Sequence, residues 1–238
     1  MKLGELLDCA KPLLFEDGWD GYEYSGGGTF FLAKYQGRFY GITAQHCLQG
    51  RDKNAIRLMF AESGQNGEAF MPLQCVHELN DPKAGPEDYT DVALMEINES
   101  QLAESQRFST RFLDLEYLAS RHVNIDGGEK LVTRGFPHYL GGIDYDVHKI
   151  RVQSFTFDGT YCGRSGTPQV ERLMFAELPA DVSSLGGLSG SPVFLLREDQ
   201  CGLHYVFAGM IIQGSIDSRS IRFIRCGVVF AALNKLHI

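Results

Sequence analysis

The chain is patterned as a series of short apolar segments separated by polar and turn-forming residues. Residues 29–35 and 38–43 flank the pair Gln36-Gly37 and predict a β-hairpin. A second tight turn is predicted at Asp158-Gly159. Many short strands at this spacing are typical of an all-β sandwich or barrel. The other predicted strands cover residues 56–60, 70–76, 92–97, 131–133, 150–157, 173–176, 193–196, 205–213 and 221–229.

Three segments break this strand pattern. Apolar residues at positions 3, 6, 7, 10, 13 and 14 recur at helical spacing, which predicts an amphipathic N-terminal helix that Pro12 kinks or ends. Residues 230–237 suit a short C-terminal helix. Between residues 99 and 122 a polar, partly helical stretch interrupts the strands, and it predicts a connector between two β units.

Composition narrows the class of protein. The chain has 238 residues, 44% of them hydrophobic, and a net charge of −8, which argues against nucleic acid as a partner because nucleic-acid binders generally present a basic patch. No apolar run approaches membrane-spanning length, so no membrane partner is expected. The first 18 residues lack the long apolar region and small-residue cleavage site of a secretory signal, so we expect a cytoplasmic protein.

The cysteines suggest neither disulfides nor a metal site. None of the six forms a C-x-x-C pair, and without an export signal they are expected to be reduced, mostly buried thiols. The sequence therefore predicts no structural zinc and no cofactor.

Three stretches, far apart in the chain, carry residues suited to acyl transfer. GITAQHC (41–47) contains His46, TDVALMEI (90–97) contains Asp91, and GGLSGSPVF (186–194) contains Ser189. Each alone has an ordinary interpretation: a structural histidine, a turn aspartate and a glycine-rich loop. Together they supply a base, an orienting carboxylate, a nucleophile and a glycine-flanked turn that brings amide groups close to a ligand.

These stretches resemble the motifs of the chymotrypsin/trypsin family of serine peptidases. TAQHC is similar to T-A-A-H-C, DVALMEI to D-I-A-L-L and GLSGSP to G-D-S-G-G-P, and the chain order His, Asp, Ser is that of the family. RGFP (134–137), FAGMIIQGS (207–215) and CGVVFAALNKL (226–236) extend the resemblance, which covers the chain from about residue 25 to its end.

The resemblance implies an all-β fold of two six-stranded antiparallel β-barrels with short N- and C-terminal helices. The implied domains are an N-terminal helical extension at residues 1–20, a first barrel at 21–117 with His46 and Asp91, and a second barrel with the C-terminal helix at 118–238 with Ser189.

The implied activity is that of a serine endopeptidase that cleaves a polypeptide substrate through an acyl-enzyme. Ser189 would be the nucleophile, His46 the general base and then acid, and Asp91 the orienting carboxylate. The amides of Gly187 and Ser189 would form the oxyanion hole. The remaining implied positions are Gln213 and Gly214 on the substrate-binding strand, and Ser183, Ser184 and Gly227 around the specificity pocket.

The chain departs from the family at positions that bear on activation. Leu188 replaces the aspartate that pairs with a new N-terminus in secreted members, and no Ile-Val-Gly-Gly activation sequence is present, so proteolytic activation is not expected. Ile212 stands where many relatives have a serine that supports the aspartate, so Asp91 must be supported otherwise. Cys47 has no disulfide partner near Phe30 or Phe31.

Two alternatives to the endopeptidase stay open: a catalytically silent protein-binding module with the same fold, and an esterase with the same triad. A cysteine nucleophile fails because no cysteine occupies the Ser189 position. Small neutral pocket residues favour an apolar over a basic substrate side chain, although Asp217 lies nearby. A regulatory protein partner also stays open, with the N-terminal extension and the connector as its candidate docking surfaces.

Overall fold

The structure is a computed structural model, and it describes residues 3–19, 22–59, 70–79, 91–102, 111–119, 124–138, 140, 142–144, 149–166, 170–174, 182–199 and 202–237. Its strands are β1 (Ala10–Trp19), β2 (Tyr22–Tyr35), β3 (Arg38–Thr43), β4 (Ile56–Met59), β5 (Phe70–Met71), β6 (Leu73–Glu78), β7 (Ala93–Ile97), β8 (Leu113–Asp114), β9 (Lys130–Gly135), β10 (Gly142–Asp144), β11 (Lys149–Arg151), β12 (Phe155–Arg164), β13 (Val170–Met174), β14 (Pro192–Asp199), β15 (Gly202–Ser215) and β16 (Ser220–Arg225). The α-helices are α1 (Leu3–Leu7), α2 (Leu115–Ala119) and α3 (Cys226–Lys235). Short 3-10 helices include Gln45–Leu48, Lys53–Ala55 and Glu99–Gln101.

Two β units form the fold, one from each half of the chain. The first is a sheet in the order β5-β4-β1-β2-β3-β7-β6, with β8 added in parallel to β2. The second is a closed six-stranded barrel, β12-β13-β16-β15-β14-β9. The predicted all-β fold with two barrel-like units is therefore confirmed. The first unit differs from a six-stranded barrel, because among the described residues it has eight strands and an open order.

A shared apolar cluster joins the two units. Phe31 and Leu94 of the first sheet pack in the same cluster as Phe207 and Ile224 of the second barrel, and all four are essentially inaccessible to solvent. Helix α3 adds Leu233 to this cluster, so it holds both units together. Because burial of each large apolar side chain is worth about 1.5–3 kcal/mol, this interface fixes the two units in one arrangement.

The predicted N-terminal helix is wrong beyond its first turn. It ends at Leu7, and the next residues form β1, which pairs with β2 on one side and with β4 on the other. The apolar run that includes Leu13 and Leu14 is buried on both faces of the sheet, so it lacks the polar alternation that normally marks a strand. Pairing with β4 begins at Leu13, so Pro12 needs no N–H for that edge. Consequently the first unit begins at Ala10 rather than at residue 21.

Two other local predictions are wrong, whereas the first hairpin is confirmed. Gln36 and Gly37 both have positive φ between β2 and β3, as a tight hairpin turn requires. Asp158-Gly159 is no turn, because it lies within β12 and pairs with β9. The strand predicted over residues 221–229 ends at Arg225, and helix α3 begins at Cys226 instead of at residue 230. Among the described helices, none has the length and apolar character needed to span a membrane.

Candidate active site

His46 and Asp91 meet at the end of β3 and the start of β7. His46 lies in the 3-10 helix that follows β3, and Asp91 precedes β7, the strand paired with β3. His46 Nδ1 lies 2.6 Å from Asp91 Oδ2, and the His46 main-chain amide donates to Oδ1 at 2.9 Å. The His46 main-chain amide therefore gives Asp91 the additional hydrogen bond that the serine at the Ile212 position gives in many relatives.

The pair differs strongly in exposure. The Asp91 side chain is 3% exposed and the His46 ring 41%, so the carboxylate is fixed inside the protein while the ring reaches solvent. Hydrogen bonding to Asp91 raises the pKa of His46 from 6.5 to about 10. A buried carboxylate held in this way sets the imidazole tautomer with hydrogen on Nδ1 and leaves Nε2 to accept a proton.

Ser189 lies in the turn between Leu185 and β14, which glycines shape. Gly187 and Gly190 on either side have φ values of +93° and +91°, a conformation that residues with a Cβ rarely adopt. At Gly190 a Cβ would lie 1.9 Å from the Thr29 carbonyl oxygen, so only glycine allows the close approach of this turn to β2. The sequence pattern Gly-x-Ser-Gly is thereby explained by sterics.

Strand β2 ties the Ser189 turn to the first unit. The Thr29 amide donates to the Ser189 carbonyl at 3.0 Å, and Thr29 Oγ1 donates to the Gly187 carbonyl at 2.8 Å. The Cys47 thiol, next to His46, lies 3.7 Å from the same Ser189 carbonyl oxygen. Residues of the histidine segment and of the serine turn are therefore in direct contact.

Two peptides of the serine turn, Gly186–Gly187 and Leu188–Ser189, are oriented by hydrogen bonds to their carbonyl groups. The Gly186 carbonyl accepts from the His138 amide at 2.9 Å, and the Leu188 carbonyl accepts from the Ser191 amide at 3.0 Å. Because a trans peptide points its N–H opposite to its C=O, the amides of Gly187 and Ser189 point away from these partners. Within the described part of the chain neither amide has an acceptor, so both are available to an anionic ligand.

The Ser189 hydroxyl is hydrogen-bonded to a main-chain carbonyl. Its Oγ donates to the main-chain carbonyl of Ile212 at 3.2 Å, and among the described residues the structure gives it no hydrogen bond with His46. In this structure Ser189 and His46 are therefore close in the fold but not hydrogen-bonded to each other. Loose hydrogen bonds of this kind are common in catalytic groups before a substrate is bound.

Leu188 occupies an apolar site beneath the turn. Its side chain is fully buried in a cluster with Leu185 and Val193. Gly135 of the RGFP segment leaves room for it, because a Cβ there would lie 2.8 Å from a Leu188 methyl group and 2.1 Å from Ser191 Oγ. The turn that carries Ser189 is thus supported from below by apolar packing of Leu188.

The predicted substrate strand has one unpaired edge. Gln213 and Gly214 pair with β16, but the pairing of β15 with β14 stops at Met210, so the other edge after Ile212 has no strand partner among the described residues. A Cβ on Gly214 would lie only 2.8 Å from the Leu185 Cβ, so the Leu185 side chain packs directly against this position. This edge offers main-chain groups to an extended chain.

Of the three residues predicted around the specificity pocket, two lie beside the serine turn and one lies in helix α3. Ser183 and Ser184 are exposed beside the turn, and Ser184 Oγ accepts from the Gly186 amide at 3.0 Å. Gly227, predicted on a strand near them, lies instead in the first turn of α3, with no atom within 4 Å of where its Cβ would be. The pocket role that the resemblance implies for Gly227 therefore has no support from its position in the helix.

The sequence missed several residues of this region. His138 lies against the serine turn, where a Cβ of Gly187 would come within 2.7 Å of its ring, and partial desolvation lowers the pKa of this imidazole below its usual value. Ser220 is buried opposite Ser215 and shares a 2.7 Å hydrogen bond with Ser218. His138 directly follows the RGFP segment, which is the one local signal for it, whereas no local signal marks Thr29 or Ser220.

Comparison with known proteins assigns the fold. No protein-family sequence profile matches the chain, and no curated protein sequence does. The structure is similar to a thermostable serine protease, AL20, from an extremophilic microorganism, with a TM-score of 0.61 and 12% identity over 98% of each chain. It is also similar to human heparin binding protein, with a TM-score of 0.62 and 11% identity over 97% of this chain and 92% of that one.

A third similar structure is the scabies mite inactivated protease paralogue S-I1, with a TM-score of 0.55 and 14% identity over 98% of this chain and 95% of that one. The protein therefore has the chymotrypsin-like fold of the trypsin-type serine peptidases. At these identities the likeness defines the fold, and since one of the similar proteins is described as inactivated, activity has to be argued from the site.

Proposed function

We propose that the protein is a serine endopeptidase that hydrolyses peptide bonds through an acyl-enzyme, with His46, Asp91 and Ser189 as its catalytic triad. The observation that carries the proposal is the His46–Asp91 pair, with a 2.6 Å hydrogen bond to a buried carboxylate, in contact through Cys47 with the turn of Ser189. This contact supports the proposal, because acyl transfer needs a nucleophile, a base and an orienting group close together.

In the proposed reaction the Ser189 hydroxyl exchanges its hydrogen bond to the Ile212 carbonyl for one to His46 Nε2. Nε2 takes the hydroxyl proton as Oγ attacks the substrate carbonyl carbon, and the Asp91 carboxylate stabilises the resulting imidazolium. The amides of Gly187 and Ser189 donate to the oxyanion, and loss of one such donor typically costs about 3 kcal/mol of transition-state stabilisation.

The intermediate collapses when His46 returns the proton to the leaving amine nitrogen and the C–N bond breaks. The acyl-enzyme ester is then hydrolysed in the same manner, with His46 taking a proton from water and giving it back to Ser189 Oγ. Each step moves one proton between the reacting oxygen or nitrogen and Nε2. Water is therefore the only co-reactant that the hydrolysis requires.

The unpaired edge of β15 supports a polypeptide substrate. An extended chain can add as a strand beside residues 213–215, because main-chain groups there have no other strand partner within the described residues. A simple ester has no main chain to pair in this way, so this edge favours an endopeptidase over an esterase. For the side chain bound next to the scissile bond we retain the preference for an apolar group.

A catalytically silent binding module is the second candidate. The Ser189 hydroxyl bonded to Ile212 favours it, because this geometry does not contain the serine–histidine hydrogen bond of an engaged triad. In such a protein the edge of β15 would hold a peptide without cleaving it.

A fluorophosphonate probe separates the two candidates. The full chain is incubated with the probe beside Ser189→Ala, His46→Ala and the control Ser100→Ala, in which an exposed serine is changed. One covalent adduct that maps to Ser189, persists in Ser100→Ala and disappears in both site variants shows an activated serine and contradicts the silent module. Peptide amides with apolar or basic residues before the scissile bond then test the side-chain preference. Absence of any adduct, together with peptide binding that does not depend on Ser189, would favour the silent module.

A further inference from the structure

Three side chains with metal-binding atoms lie on one face of β6 and β7, outside the candidate active site. Cys75 and His77 are two residues apart in β6, so both point to the same side of the sheet. Glu96 in β7 is directly opposite Cys75 in the antiparallel register, so it shares that face. Pleating and register bring the three groups together without any sequence motif.

The three atoms form a nearly equilateral triangle. Cys75 Sγ lies 3.1 Å from His77 Nε2 and 3.5 Å from Glu96 Oε2, and Nε2 and Oε2 are 3.3 Å apart. Tetrahedral zinc with bonds of about 2.3 Å to sulfur and about 2.0–2.1 Å to nitrogen or oxygen separates its ligands by roughly 3.6 Å for pairs with sulfur and roughly 3.3 Å for nitrogen with oxygen. Two of the three separations fit as they stand, and the third requires a shift of about 0.5 Å.

The surroundings suit a cation bound through one carboxylate oxygen. The Glu96 side chain is only 11% exposed, and its other oxygen, Oε1, accepts from Arg38 Nη1 at 3.2 Å. Such an outer hydrogen bond fixes a ligating carboxylate and leaves Oε2 directed at Cys75 and His77. Arg38 itself is 54% exposed, so solvent screens its charge.

The donor set selects the metal. A thiolate and an imidazole are the ligands that zinc prefers, and one carboxylate is common beside them, whereas calcium and magnesium take oxygen. One thiolate and one carboxylate balance the double charge of Zn²⁺. On binding, the Cys75 thiol proton goes to solvent and its sulfur electron pair to the metal.

We propose that Cys75, His77 and Glu96 form a zinc-binding site with water as the fourth ligand. Strand β6 is at the end of the first sheet's strand order, and zinc would attach it to β7, the strand that Asp91 precedes. Glu96 is five residues from Asp91, or roughly 16 Å along an extended chain at about 3.3 Å per residue, so the site is structural and distinct from the candidate active site.

Cobalt is the spectroscopic probe for this site. The full chain is reduced, stripped with chelator, desalted and titrated with Co²⁺, which is then displaced by Zn²⁺. We expect one equivalent to bind with a thiolate-to-cobalt charge-transfer absorption that zinc abolishes. The absorption is lost in Cys75→Ser, binding weakens about 10-fold or more in His77→Gln and Glu96→Gln, and both are unchanged in the control Cys162→Ser, an exposed cysteine elsewhere.

Two further measurements keep the result decisive. The titration is repeated in His46→Ala, because the His46–Asp91 pair also offers nitrogen and oxygen ligands, and the proposal requires the same uptake there. On the unmodified chain, zinc should protect Cys75 from alkylation while Cys162 still reacts, as read by peptide mapping. A missing charge-transfer absorption, an absorption that persists in Cys75→Ser, or alkylation of Cys75 unaffected by zinc would each overturn the proposal.

Discussion

Replacement of Leu188 by alanine tests whether apolar packing supports the serine turn. Leu188 is fully buried, and leucine-to-alanine changes at such positions cost about 2–5 kcal/mol of unfolding free energy. We expect about 3–5 kcal/mol, because close contacts of Gly190 with Thr29 and of Gly187 with His138 prevent the turn from collapsing into the cavity. Against a typical total stability of about 5–15 kcal/mol this is a large loss.

The same change should slow the chemistry. Leu188 adjoins Ser189, and a displacement of about 1 Å in a catalytic group can cost about 100-fold in rate, so we expect fluorophosphonate labelling of the folded protein to slow by about that factor. Leu188→Asp should destabilise the protein at least as much, because the carboxylate would lie in an apolar cluster.

Urea unfolding, followed by circular dichroism, measures the first effect. A loss of 3 kcal/mol corresponds to a midpoint lower by about 1 M at a slope of about 3 kcal/mol per M. Leu188→Met conserves volume and should cost less than about 1.5 kcal/mol, and Leu203→Ala, at a residue 54% exposed, should stay within about 0.5 kcal/mol. If Leu188→Ala cost no more than Leu203→Ala, the turn would not depend on this packing.

Three further outcomes are expected. Asp91 raises the pKa of His46, and only the neutral imidazole can accept the Ser189 proton, so probe labelling should rise with pH through an inflection above 6.5. Asp91→Asn should lower that inflection and slow labelling about 10⁴-fold. An inflection that does not move in Asp91→Asn would contradict the assignment. Ser191→Ala should leave stability unchanged or raise it by up to about 1 kcal/mol in urea, because the buried hydroxyl has no hydrogen-bond partner among the described residues; a loss above about 1 kcal/mol would show a hidden partner. Gly190→Ala should prevent labelling and destabilise the fold far more than Gly37→Ala. Gly37 also has a positive φ, but its Cβ would point into open space, so Gly37→Ala should cost only about 1 kcal/mol. Equal losses of stability in thermal unfolding would mean that backbone strain alone matters.

Local signals were sufficient where short-range physics decides the structure. The hairpin at Gln36-Gly37 was predicted correctly because two consecutive residues able to adopt positive φ define a tight turn by themselves. The same rule failed at Asp158-Gly159, where pairing with β9 holds the chain extended. A turn propensity is weak against a continuous set of cross-strand hydrogen bonds, and the sequence does not reveal that partner strand.

The chain ends show how tertiary context overrides periodicity. The apolar positions between residues 3 and 14 fit a helix, yet only Leu3–Leu7 is helical, because β1 finds partners in β2 and β4. Helix α3 likewise begins at Cys226, in a segment whose β-branched residues favoured a strand. In both cases burial against distant elements outweighed a local preference of a few tenths of a kcal/mol per residue, at most about 1 kcal/mol.

By itself the sequence determined the all-β class, the two-unit architecture implied by its motifs, and the identity of His46, Asp91 and Ser189 as residues suited to acyl transfer, whose catalytic roles stay predictions. This was possible because a nucleophile turn and a histidine segment need particular neighbours in the chain. Only the tertiary structure decided that Thr29 anchors the serine turn, that His138 lies beside it, and that Cys75, His77 and Glu96 converge. These groupings arise from strand register and from contacts between the two units, which join residues that no local pattern in the chain relates.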